Sequence, residues 1–150
     1  MSLEQEVELI RQFPIFGKIQ PAMQKLLCFS AERLAYDPGQ VMFNAGDPAD
    51  AAFIVIEGTV EISVPTPSGP IIVNTLTRND ILGEIAIFGE VPRTATARAT
   101  TRLETLKISK DLFIKVIREN PDAAIELIRI LASRLANTTN QLTRTRSGAG

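Results

Sequence analysis

The stretch "PGQVMFNAGDPADAAFIVIEGTVEIS", Pro38–Ser63, decides the fold class. Two β-rich runs lie in it, Val41–Phe43 and Ala52–Ile56, and a third, Thr59–Val64, ends one residue beyond it. Turn signals separate them, namely Pro38-Gly39, Gly46-Asp47-Pro48 and Glu57-Gly58. Gly58 suits a tight hairpin, because glycine reaches positive φ without steric cost. The same texture continues downstream. The Pro65–Pro70 loop leads to Ile71–Leu76, the Arg78-Asn79-Asp80 turn follows, and Ala95–Ala99 and Leu103–Ile108 complete the series. Asn79 can replace Gly where a left-handed backbone is needed. Many short strands at this spacing predict a small barrel or sandwich rather than parallel βαβ units.

Helical periodicity flanks this region on both sides. Residues 3–12 alternate Leu, Val, Leu and Ile with polar side chains and read as a short amphipathic helix that Pro14 ends. Gln20-Pro21 opens a second helix whose apolar face is Met23, Leu26 and Leu27. After the strands, Ser109 is a good N-cap for a helix with Leu112, Phe113, Val116 and Ile117 on one face. Asn120-Pro121-Asp122 then opens a longer helix. Its apolar positions Ala124, Ile128, Leu131 and Leu135 are broadened by Ile125, Leu127 and Ile130. A stripe that wide predicts two contacts, one with the strands and one with a second copy of the chain. The expected organisation is a single domain over 1–142. Helices occupy 1–30, strands 31–108 and two helices 109–142, and 143–150 reads as a disordered tail.

Composition narrows the chemistry. The 150 residues carry a net charge of −1, so no positive field is available for nucleic acid or an anionic membrane. No apolar run is long enough to cross a bilayer, and Met1–Ile10 lacks a signal-peptide pattern, which leaves the cytoplasm as the expected compartment. There is no His, which removes the Ser-His-Asp triad, a histidine base and a His-ligated metal. The single cysteine, Cys28, excludes an internal disulfide and a thiolate metal site, and reads as a buried inert thiol. An enzyme here would have to work with carboxylates, Lys or Tyr36 alone, and the expectation is no catalytic residues, no metal and no cofactor.

The stretch "GEIAIFGEVPRTATARAT", Gly83–Thr100, carries the candidate site. One reading makes Arg93 a solvated charge at the edge of a strand, of little energetic value. Another explains more. The small residues Ala95, Ala97 and Ala99 let a backbone approach a ligand closely. Gly83 followed by Glu-Ile-Ala-Ile-Phe makes a short helical turn whose exposed N–H groups point at an anion. Pro92 fixes the chain before Arg93, and Arg93 presents a planar fork to phosphate oxygens. Glu84 would repel a phosphate, so it faces another group, and a sugar hydroxyl is its natural donor.

These residues resemble the cyclic-nucleotide-binding domain family of catabolite-type regulators, kinase regulatory subunits and nucleotide-gated channels. The family's phosphate-binding pattern stands here as Gly83-Glu84-Ile85-Ala86-Ile87 and Pro92-Arg93-Thr94-Ala95-Thr96. Pro38–Ser63 resembles its first hairpins, and the likeness runs from about Phe13 to the final helix. One departure is Thr77–Asp80, where the family commonly has a Gly-rich turn. The resemblance implies a mainly β fold with flanking helices, a jelly-roll-like double-stranded β-helix or β-roll. It implies that Arg93 pairs with the cyclic phosphate of cAMP or cGMP and that Glu84 accepts from the ribose 2′-hydroxyl. It further implies that backbone N–H groups of Gly83, Ile85, Ala86 and Ala95 complete the cradle, and that the Thr94 hydroxyl reaches a purine bound syn. Arg134 and Leu135 are implied as lid residues over the base, by helix position.

The expected function is a stand-alone cyclic-nucleotide sensor that signals to an effector protein by moving its C-terminal helices. Family frequency favours cAMP. Three rivals remain: an isomerase of the cupin kind, which usually needs the His-rich metal site missing here; a dimerisation unit that has lost its ligand; and a fragment of a transcription regulator. No helix-turn-helix pattern follows residue 142.

Overall fold

A computed structural model describes the backbone of residues 2–149 and the side chains of residues 2–137. The apolar run at 51–56 becomes β3 (Ala51–Glu57), buried at every position but the last. Its two faces feed two cores, as alternation along a strand requires. Ala52, Ile54 and Ile56 pack with the helices, while Ala51, Phe53 and Val55 face a second sheet.

Around it lie β1 (Glu32–Tyr36), β2 (Val41–Phe43), β4 (Val60–Val64), β5 (Ile71–Leu76), β6 (Ile81–Leu82), β7 (Thr96–Ala99) and β8 (Leu103–Ser109). Two four-stranded sheets result, ordered β1-β8-β3-β6 and β2-β7-β4-β5, with every pair antiparallel. This is the expected mainly β fold with flanking helices, a β-roll. Gly58 joins β3 to β4 at φ 101°, and a Cβ there would lie 2.3 Å from the Arg102 carbonyl oxygen. Asn79 does adopt the left-handed turn, at φ 72°, and its N–H donates to Val55 O at 2.8 Å.

The helices cover one face of the first sheet. They are α1 (Leu3–Arg11), α2 (Pro21–Ser30), α3 (Glu84–Gly89), α4 (Lys110–Glu119) and α5 (Pro121–Ala149). Ser2 and Gln5 cap α1 reciprocally, and Ser109 caps α4 through Leu112 N–H. Phe13, Phe16, Leu27, Ile108, Phe113, Val116, Ala123 and Leu127 fill this core.

Four details differ from the sequence reading. On α2 it is Gln24 that is buried beside Leu27, because its Nε2 donates to Phe16 O at 3.2 Å; Leu26 is 37% exposed. Cys28 is half-buried, and burial, aided by Glu6, raises its thiol pKa. The inward face of α5 is Ala123 and Leu127 rather than Ala124 and Ile128. The α5 backbone stays helical past residue 142 to Ala149, since no Pro or Gly interrupts it between Pro121 and Gly148. Gly150, the end of the expected tail, lies outside the described residues.

Candidate functional site

The site is built where β6 turns into α3. Gly83 makes that turn at φ 86°, a region that costs other residues strain. It is also sterically reserved. A Cβ on Gly83 would lie 2.6 Å from Arg93 Nη1 and 3.1 Å from Ala51 O. The turn directs the Glu84 side chain inward, to 1% exposure. Arg134, from α5, donates Nη1 to Glu84 Oε1 at 2.7 Å and Nη2 to Ile81 O. Burial raises the Glu84 carboxyl pKa; the charges of Arg134 and Arg93 oppose that rise. Oε2 of Glu84 is buried and has no hydrogen-bond partner among the described residues.

Arg93 is held from both ends. Its N–H donates to Asp47 O at 2.8 Å and its carbonyl accepts from Gly46 N at 2.8 Å, which ties it to the turn before β3. Its guanidinium is 4% exposed for the residue as a whole, so the edge-charge reading does not hold. Nη1 donates to Gly83 O at 2.7 Å and Nη2 to Ala51 O at 2.5 Å. The group lies 4.3 Å from the centroid of the Phe43 ring, within cation–π range. Desolvation lowers the Arg93 pKa, against the charges of Asp50, Glu84 and Asp47. Asp50 itself is 3.8 Å away with its side chain 74% exposed, so water screens that pair. Nε is buried with no acceptor among the described residues. The fork expected to be wholly available to a phosphate is thus half spent on protein carbonyls, and Nε is its unsatisfied donor.

One cavity of about 320 Å³ gathers these groups. Gly83, Glu84, Ile85, Ala86, Arg93, Thr94 and Ala95 all line it, and so does Arg134. Leu135 does not. It is 69% exposed, because one residue along a helix is a rotation of about 100° away from Arg134. The remaining wall comes from strands: Phe43, Ile62, Val64, Val73, Asn74, Leu76 and Leu82. These were missed from the sequence, although the alternation Ile62, Val64 signals an inward face. The cavity is mostly apolar with a few convergent polar groups, the composition of a small-molecule site. Among the described residues, no cluster of three or more His, Cys, Asp or Glu side chains is placed to hold a metal, and no helix is long and apolar enough to cross a membrane.

The family model of the cyclic nucleotide-binding domain matches residues 33–120, more than half of the chain and the whole of this cavity except Arg134. The chain belongs to the cyclic nucleotide-binding domain family. Proteins similar to it in sequence include regulators and, over part of their length, fungal lysophospholipases. It is 29% identical over 136 residues to the CRP-like cAMP-activated global transcriptional regulator of Mycobacterium tuberculosis, covering 90% of this chain and 61% of that protein. It is 28% identical over 108 residues to a cAMP-dependent protein kinase regulatory subunit of Yarrowia lipolytica, covering 72% of this chain and 28% of that one. The chain thus spans less than two thirds of either relative. In fold it resembles the sensor domain of the transcriptional regulator DNR from Pseudomonas aeruginosa, with TM-score 0.78, 24% identity and coverage of 92% and 93%.

Proposed function

We propose that this chain is a receptor for a cyclic purine nucleotide, cAMP or cGMP, and reports occupancy through α5. The observation that carries the reading is a pair of buried, unsatisfied atoms of opposite character on residues of one cavity: Arg93 Nε, a donor, and Glu84 Oε2, an acceptor. Such atoms are rare in folded proteins, and each is costly unless a partner arrives. A ring phosphate supplies the acceptor for Nε, supported by the N–H groups of Ile85, Ala86 and Ala95. A ribose 2′-hydroxyl supplies the donor for Oε2. Because Arg134 already grips Oε1, filling the sugar site acts directly on α5. A ligand shifts the position of that helix only by its difference in affinity between the two arrangements.

Thermal unfolding with added nucleotide tests the reading. Native-state binding must raise the melting temperature, so cAMP or cGMP is expected to raise it and adenosine, which has no phosphate, is not. No shift with either cyclic nucleotide refutes it in favour of a ligand-free dimerisation unit. The chemistry is binding, with recovery of unchanged nucleotide expected on incubation.

The second copy remains part of the proposal. Ile125 and Ile128 are 46% and 64% exposed, and Ala132 and Leu135 continue them at spacings of four and three residues. That spacing supports pairing with the same helix of a second copy as a two-helix coiled coil. Light scattering is expected to give twice the chain mass; a monomer with and without nucleotide overturns it. A DNA-binding role needs a further segment, and the effector is a protein that reads the position of α5.

A further inference from the structure

The wall of the cavity opposite Arg93 contains a side chain that the fold itself does not need. β4 and β5 pair as Val60↔Leu76, Glu61↔Thr75 and Ile62↔Asn74, and then the register shifts to Ser63↔Ile72 and Val64↔Ile71. Val73 is the extra residue of a bulge. Directly opposed residues share a face, and faces alternate along each strand. Val60 and Leu76 belong to the core between the sheets, so Ile62 and Asn74 face the same way. An inward position on such a sheet calls for an apolar residue. Here it holds a carboxamide, half-buried, on the cavity wall. Bulges are common beside functional sites, where they re-aim a side chain.

Asn74 lies apart from Arg93 in the cavity. Ile62 bridges it to Ala97 on β7, so it stands two strands from β7, about 10 Å at the usual strand spacing. Gly83 and Arg93 belong to the opposite end, where β6, α3 and the approach to β7 meet, while Arg134, which grips Glu84, shares the wall of an adjoining cavity with Asn74. A nucleotide with its phosphate and sugar at that end carries its base towards Asn74. The polarity of the carboxamide is set by the chain. Thr75 N–H donates to Asn74 Oδ1 at 2.9 Å, which assigns the oxygen to the backbone side. Nδ2, a donor, is the end left for a ligand. The purine classes differ at that point: guanine presents acceptors at O6 and N7, whereas adenine presents a donor at N6 beside N7.

Resting on the cyclic-nucleotide reading above, we propose that Asn74 reads position 6 of the base and makes the site prefer a 6-oxo purine over a 6-amino purine. A guanine or hypoxanthine O6 accepts from Nδ2. Adenine offers Nδ2 only N7, and its N6 donor finds no free acceptor on Asn74 because Oδ1 already accepts from Thr75 N–H. One neutral hydrogen bond gained or lost corresponds to roughly a five- to tenfold difference in affinity.

Calorimetric titration with cyclic GMP, cyclic IMP and cyclic AMP tests this, on the wild-type chain and on Asn74→Leu and Asn74→Asp. Cyclic IMP has the 6-oxo group without the 2-amino group, so it isolates position 6. The wild type is expected to bind cyclic GMP and cyclic IMP about five- to tenfold more tightly than cyclic AMP. Asn74→Leu is expected to bring the three together. Asn74→Asp, of the same shape, replaces the donor with an acceptor and is expected to reverse the order. Cyclic AMP bound as tightly as the others by the wild type, or a preference that persists in Asn74→Leu, overturns the role of Asn74 and leaves the cyclic-nucleotide reading standing. Binding of none of the three overturns both.

Discussion

Gly83→Ala probes the site without replacing a charged residue. The perturbation has two parts. Position 83 sits at φ 86°, and placing a side chain in a left-handed conformation costs about 1–2 kcal/mol. The new Cβ also lands 2.6 Å from Arg93 Nη1, where ordinary contact is about 3.5–4.0 Å. The guanidinium must retreat by about 1 Å, and the Nη1 bond to Gly83 O, 2.7 Å in the wild type, is lost. A hydrogen bond to a charged group is worth about 1.5–3 kcal/mol. The two terms together predict destabilisation of about 2.5–5 kcal/mol, measured by urea unfolding. In the surviving folded protein the displaced Arg93 is expected to weaken cyclic-nucleotide affinity at least tenfold by titration. Wild-type stability together with wild-type affinity would refute both the strain and the contact.

Arg93→Lys keeps the charge but cannot hold Gly83 O and Ala51 O together, nor cover Phe43 as a plane. It is expected to lose about 10- to 100-fold in affinity and several degrees in melting temperature; loss of affinity alone would show that the carbonyl bonds contribute nothing to the fold. Glu84 gives a pH dependence. Its pKa is raised by burial, so it protonates above the ordinary carboxylate range, and affinity is expected to fall as pH drops through that raised value. For the empty protein the sign is opposite: this carboxyl contributes stability below its unfolded pKa, and that contribution is lost as pH rises through the folded one. Glu84→Gln retains an acceptor without titrating, and its affinity is expected to be flat over the same pH range; an unchanged pH profile in that variant assigns the dependence elsewhere.

Much of the fold was legible in local chemistry. Gly58 and Asn79 marked turns that the backbone does make with positive φ, and the 41–43 and 71–76 runs are strands with the expected ends. β1 and β6 were not seen. β1 reads ERLAY, with two charged residues, and becomes a strand only by pairing with β8 some 70 residues away. β6 has two residues, too few to show any period. At the site, Gly83, Glu84 and Arg93 stood out as residue types unusual for a strand and a turn, whereas Ile85, Ala86, Thr94 and Ala95 came from the family resemblance; all of them line the cavity. The bonds of Arg93 to Gly83 O and Ala51 O were not, since main-chain acceptors leave no trace in residue identity. Asn74 was hidden for another reason: the bulge at Val73 breaks the alternation from which its inward direction would be read.

The central claim concerns Arg93 Nε and Glu84 Oε2, and isothermal titration of the wild-type chain with a cyclic nucleotide and its 2′-deoxy counterpart tests it most directly. Saturable binding of one nucleotide per chain is expected. The 2′-deoxy form should bind about tenfold or more weakly, because Glu84 Oε2 is then left buried without a donor. Equal affinity for the two would contradict the role of Glu84, and no binding of either would contradict the site.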